Sequence, residues 1–111
     1  MPYDALGEFE QSLLLAILHL RDNAYGVTIR QEIERRTGRE IAIGAMYTSL
    51  ARLERKGYVR SAMSDPTPQR GGRSKRHFVV RPSGAAALRQ SHDRLARMWE
   101  GLEPVAKKAR S

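Results

Sequence analysis

The sequence predicts a mainly α-helical domain with one small antiparallel β-hairpin, in the order helix, helix, helix, strand, strand, helix. Three observations carry this. Apolar residues recur at three- and four-residue steps through residues 7–56. The period then falls to two on either side of a breaker-rich stretch at 65–74. A proline-led helical pattern follows from Pro82. The length of 111 residues suits one domain, and 41% apolar with 29% charged residues is enough to form a core.

The first helix is expected over residues 7–21, a stretch without proline. Phe9, Leu13, Leu14, Ala16, Ile17, Leu18 and Leu20 leave it apolar around much of its girth, so it should be buried on several sides. Glu8 and Glu10 suit the positive end of its dipole. After a polar turn at 21–24, the second helix runs over 26–37. Val27, Ile29 and Ile33 form its expected apolar side, and Gly38 supplies a left-handed cap. The third helix, about 43–56, has Met46, Leu50 and Leu53 as its core stripe, with Ile43 at the entrance and Gly57 as its stop. Residues 58–63 and 75–80 read as two strands joined by a long tip. Pro82-Ser83-Gly84 opens the last helix, and Pro104 should kink or end it. Three helices followed by a hairpin make a winged helix-turn-helix.

The net charge is +8, and its distribution is uneven. Residues 1–20 carry net −3, residues 21–60 and 61–81 each +4, and residues 82–111 +3. This suggests one polyanion-facing side, with solubility or an acidic membrane surface as alternative uses of a basic patch. The chain has no cysteine, which removes disulfides, thiolate nucleophiles and cysteine metal sites. His19, His77 and His92 show no metal-ligand spacing, and Ser12, Ser49 and Ser91 lie in no nucleophile elbow. Neither an enzyme nor a metal or other cofactor is expected. The longest apolar run is six residues against the roughly 20 of a membrane span, and the acidic start lacks the pattern of a secretion signal; a cytoplasmic protein without membrane contact is expected.

Two segments have the composition of a nucleic-acid reader. On the third helix, Gly44, Ala45, Tyr47, Thr48, Ser49 and Arg52 are expected to face outward. Small side chains there let the helix enter a major groove about 12 Å wide, while Thr48, Ser49, Tyr47 and Arg52 offer donors to bases or phosphates. At the hairpin tip, Arg70, Arg73, Lys75 and Arg76 surround Gly71 and Gly72, so that cations and a close-approaching backbone meet phosphates together. By the two-residue period, Lys75 and His77 share one strand face.

On the last helix Leu88, Leu95 and Leu102 are seven apart, as are His92 and Trp99. This stripe suggests pairing with a second copy, with folding back onto its own domain as the alternative. Trp99 is either a dimer anchor or the wall of a pocket for a flat ligand. The expected organisation is a winged helix-turn-helix over 1–81, a C-terminal dimerisation helix over 82–108 and a flexible tail over 109–111.

Five segments in order, Leu6-Gly7-Glu8-Phe9-Glu10, Asn23-Ala24-Tyr25-Gly26, Ile43-Gly44-Ala45-Met46-Tyr47-Thr48-Ser49-Leu50, Arg52-Leu53-Glu54-Arg55-Lys56-Gly57 and Arg70-Gly71-Gly72-Arg73-Ser74-Lys75-Arg76, resemble the PadR family of bacterial transcriptional regulators. The resemblance spans roughly residues 6–90. It implies a homodimer joined through the first and last helices, repression by binding a palindromic operator in double-stranded DNA, and in many members release by a small aromatic or cationic effector. It places Tyr25, Gly26 and Thr28 where the second helix starts beside the phosphate backbone. Tyr47 and Thr48 match the DNA-facing part of the recognition helix, and Gly72, Arg73 and Lys75 the wing. Phe9 and Leu13 join Leu88, His92, Leu95, Met98, Trp99 and Leu102 as the implied dimer residues. A single helix after the hairpin corresponds to the short subtype. The rival readings are a winged-helix protein-interaction module and a binder of structured RNA or of nucleic acid without sequence preference.

Overall fold

A computed structural model describes residues 5–64, 75–102 and 104–105. Its elements are α1 (Glu8–Leu20), α2 (Gly26–Thr37), α3 (Ile43–Arg55), β1 (Val59–Met63), β2 (Arg76–Val80) and α4 (Pro82–Trp99), with one 3-10 turn, Arg21–Asn23, between α1 and α2. The mainly helical winged arrangement is as the sequence predicts.

The core is where α1, α2 and α3 meet under the hairpin. Leu13, Leu14, Ile29, Met46, Leu50, Leu53 and Val59 are its fully buried side chains. Glu10 supports two elements at once. Its carboxylate accepts the Gly7 N–H at 3.1 Å, closing the open start of α1, and holds Lys56 Nζ at 3.1 Å, fixing the end of α3. Gly38 and Gly57 follow α2 and α3 at φ +71° and +81°, where a Cβ would be strained.

β1 and β2 pair antiparallel with Val59 opposite Val80 and Met63 opposite Arg76. Beyond that ladder the Phe78 N–H donates to the Ala24 carbonyl at 2.9 Å, and Tyr25 bridges His77, so the residues leading into α2 act as a short third strand. α4 leaves β2 at a fixed angle. The Arg81 N–H donates to the Tyr58 carbonyl at 2.9 Å, the Ser83 hydroxyl donates to the Gly57 carbonyl, and Gly84 lies against the same Tyr58 oxygen.

Several side chains lie elsewhere than expected. Val27 is 61% exposed and Ile43 52% exposed. Ile29 and Ile33, four residues apart, turn inward, which leaves Val27 at the open edge between α2 and the start of α3. Ile43 stands at the open end of α3, a turn before Met46. Ser49 is buried, because it lies three residues after Met46 and four before Leu53, on the core stripe itself. Leu13 and Leu88 are buried within the protomer, and Phe9 packs against its core. α4 ends at Trp99, and Gly101 follows at φ +81°, so the helix stops before Pro104. The expected tail at 109–111 lies outside the described residues.

A Cβ on Gly84 would stand 2.3 Å from the Tyr58 carbonyl oxygen, a backbone atom already bound to Arg81. Gly84→Ala is expected to destabilise the fold by about 1–3 kcal/mol, seen as a melting transition lowered by several degrees.

Candidate nucleic-acid interface

Three elements converge at the start of α2. The chain enters the helix extended, with Tyr25 at φ −136° and ψ 174°. The Thr28 hydroxyl accepts the Tyr25 N–H at 3.0 Å and donates to the Asn23 carbonyl at 2.6 Å. From β2, His77 meets the Tyr25 ring edge-on, with centroids 5.4 Å apart. Lys75 Nζ sits 4.2 Å above the centre of the same ring, a cation–π contact. From α3, the Tyr47 hydroxyl crosses to Gly26 and occupies the space a Cβ would need, 1.9 Å from that position. Tyr25, Tyr47, His77 and Lys75 thus form one patch across α2, α3 and the base of the hairpin.

The outward side of α3 carries Gly44, Ala45, Tyr47, Thr48 and Arg52, all exposed. Its N-cap is Ala42, with no side-chain hydrogen bond to the first turn. Three sequence-derived assignments change in kind. Ser49 is buried and cannot reach a duplex. Gly26 is buried beneath Tyr47, so its part is to let that ring approach rather than to meet phosphate. The Thr28 hydroxyl spends its proton within the helix start and has none left to donate. Arg70, Gly72 and Arg73 lie outside the described residues.

Three carboxylates of α1 and α2 are engaged by arginines. Glu8 pairs with Arg39 at 3.3 Å, and Glu34 with Arg30 at 3.4 Å. Glu32 takes both Arg36 and Arg35, whose hydrogen bonds hold its carboxyl below the usual carboxylate range. The cations of α2 are therefore largely neutralised. Arg52, Arg55 and Arg60, on α3 and β1, have no carboxylate partner among the described residues. That asymmetry leaves more unpaired cations than carboxylates on α3 and β1, three arginines against Glu54, which accepts the Ser61 hydroxyl.

A second surface lies between α1 and α4. It is an open groove of about 860 Å³ lined by Leu15, Leu18, Leu88, His92, Leu95 and Trp99 among others. Leu95, Met98, Trp99 and Leu102 are exposed, as is His92, whose Nδ1 lies 3.4 Å from Asp93. Leu13 and Leu88, expected at a dimer interface, serve the protomer's own core, and Phe9 is half-buried against it. The α1 leucines left exposed at the groove are Leu15 and Leu18, each 47%. Their signal was present in the sequence as a helix apolar on more sides than one core can cover.

A family model described as the transcriptional regulator PadR-like family matches residues 14–90. The chain belongs to the PadR family. Members are DNA-binding transcriptional regulators rather than enzymes, and this chain is a winged-helix regulator of that kind. Among solved structures it is similar to a PadR family transcription regulator from Clostridium difficile, at 22% identity and TM-score 0.63 over 93% of this chain and 99% of that one. A transcriptional regulator from Clostridium thermocellum is 24% identical, with TM-score 0.63 over 90% and 88% of the two chains. Protein smu.1704 from Streptococcus mutans is 22% identical, with TM-score 0.67 over 96% and 94%. At these identities the likeness establishes the fold. A comparison with curated proteins finds no match. Among the described residues of this PadR-family chain, no helix is long and apolar enough to cross a membrane, and no cluster of His, Asp and Glu could hold a metal ion.

Because the clash would be with the far end of the exposed Tyr47 side chain, which can swing away, Gly26→Ala is expected to displace the Tyr47 ring at a stability cost of about 1 kcal/mol or less. Duplex binding should weaken. The double variant Gly26→Ala, Tyr47→Ala should bind no more weakly than Tyr47→Ala alone, a non-additivity that fluorescence anisotropy with a labelled duplex measures.

Proposed function

We propose that this PadR-family chain is a homodimeric repressor that binds a palindromic operator in double-stranded DNA in the cytoplasm. α3 would lie in the major groove and the hairpin along the flanking backbone. The convergence of Tyr25, Tyr47 and Lys75 carries the reading. It joins the start of α2, the outward side of α3 and the base of the wing in one surface that carries a cation and two phenol hydroxyls. In this reading Tyr25, Tyr47 and Lys75 contact phosphate, while Gly44, Ala45 and Thr48 approach base edges. Arg52 reaches the backbone or a guanine, and Arg70, Gly72 and Arg73 extend the wing.

The groove between α1 and α4 supports self-association. Leu15 and Leu18 with Leu95, Met98 and Trp99 form an apolar surface too continuous to be scattered exposure. A two-fold contact there would set two recognition helices about 34–36 Å apart, one turn of DNA. Trp99 lines the same groove, so a flat aromatic or cationic effector would bind where the dimer forms and alter the spacing of the helices.

Selection of bound sequences from a random duplex pool tests operator binding; a palindrome is expected, and a pool without sequence preference would reject it. Arg73→Ala with Lys75→Ala should weaken binding to all duplexes and lower the slope of log affinity against log salt by about two, whereas Thr48→Ala should change the preference between sequences. In sedimentation, Leu95→Ala with Trp99→Ala should move the protein from dimer towards monomer, with DNA affinity falling alongside. An unchanged dimer would return α4 to an intramolecular role.

A further inference from the structure

Where α2 and α3 begin, two large apolar side chains stand in the open. Val27, the second residue of α2, is 61% exposed, and Ile43, the first residue of α3, is 52% exposed. Both line one depression of about 340 Å³ together with Met46 and Tyr47, its polar side being Arg30, Gln31 and Glu34 of α2. From Ile41 to Met46 no side chain carries a hydrogen-bonding group. The next hydroxyl, that of Tyr47, rests on Gly26. The one carboxylate at the depression, Glu34, is taken by Arg30 and by the Ile41 N–H at 2.8 Å. α2 and α3 also lack the acidic first turn that α1 has.

We propose that Ile43, with Val27 beside it, reads the 5-methyl group of a pyrimidine in the major groove. The inference rests on the DNA-binding reading above and adds what the head of α3 recognises. A first turn without donors or acceptors cannot make the paired hydrogen bonds that identify guanine or adenine. What it can do is exclude water from an apolar group. In the major groove only one base edge offers such a group, the C5-methyl of thymine or of its chemical equivalent, 5-methylcytosine. Against any other edge, Ile43 would strip water from polar atoms and return no hydrogen bond, which disfavours that base. Arg52 further along α3 and Lys75 at the base of the wing are exposed cations that would draw the apolar head towards a polyanion, an environment unlike that of an ordinary protein-docking patch.

The test uses the full chain and a duplex recovered from a random pool. Each thymine of that duplex is replaced in turn by deoxyuridine, which removes the methyl and leaves every hydrogen-bonding atom in place. At one or more positions of each half-site the wild-type chain is expected to lose about fourfold in affinity, the value of one buried methyl group. Ile43→Ala should bind the thymine and uracil duplexes alike, at the wild-type level for uracil. A C·G pair at the sensitive position, with and without the cytosine 5-methyl, separates the two sources. A gain on methylation extends the reading to methylated DNA, and no gain confines it to thymine. Equal wild-type binding to all thymine and uracil duplexes overturns the proposal whatever the variant does, while operator binding itself stands. So does an Ile43→Ala chain that keeps the full preference for thymine. If the wild-type chain enriches no duplex from the pool, the methyl reading and the operator reading fall together.

Discussion

The arrangement depends on one backbone hydrogen bond, from the Phe78 N–H in β2 to the Ala24 carbonyl ahead of α2. Both residues are buried, Ala24 completely. With no water to replace either partner, breaking the bond would leave two polar groups unsatisfied, at roughly 1–3 kcal/mol each. The hairpin therefore cannot drift from the helix-turn-helix. The next residue along, Tyr25, inherits that fixity: its own N–H closes on Thr28, and its ring receives His77 and Lys75 from the strand. A wing joined to α3 only through the short link after Gly57 would have no defined direction relative to it.

A second constraint sets the direction of α4. The Tyr58 carbonyl takes the Arg81 N–H and is also the atom Gly84 passes most closely. Only a residue without a side chain lets the first turn of α4 sit against β1 there. Leu88, one turn later, then meets the core, and beyond it α4 runs outward beside α1, leaving Leu95, Met98 and Trp99 uncovered. The apolar groove is a consequence of that exit angle as much as of the residues lining it.

Most of the fold was legible because the signals that specify it are local. Gly38 and Gly57 mark helix ends, the period changes at residue 58, and Pro82 opens α4. The site was legible only in outline. Tyr47, Thr48 and Arg52 face out as their spacing implies, but Ser49 does not: a small polar residue at i+3 from Met46 reads as surface by type and as core by position, and position decides. Ile43 and Val27 fail in the opposite sense, since their type reads as core while their places at helix starts leave them beyond the reach of neighbouring elements. Contacts between elements left no periodic trace at all. Nothing in the spacing of Tyr25, Lys75 and His77 announces that they stack, nor that Gly26 exists to receive Tyr47.

The two apolar surfaces differ in their electrostatic surroundings, and this separates their partners. The head of α3 lies on the side where Arg52, Arg55 and Arg60 are unneutralised, so a polyanion is the partner that gains from both its apolar and its cationic parts. At the other surface, Glu8 is taken by Arg39 and Glu10 is buried against Lys56, so the charged side chains lining the groove between α1 and α4 are Arg89 and Asp93 beside His92. An apolar groove with one cation and one carboxylate in its lining gains nothing from a polyanion and suits the apolar face of a protein partner, the second copy proposed above. In the proposed dimer the exit angle fixed at Gly84 would also set the separation of the two recognition helices, and small changes at the groove would be felt on the DNA.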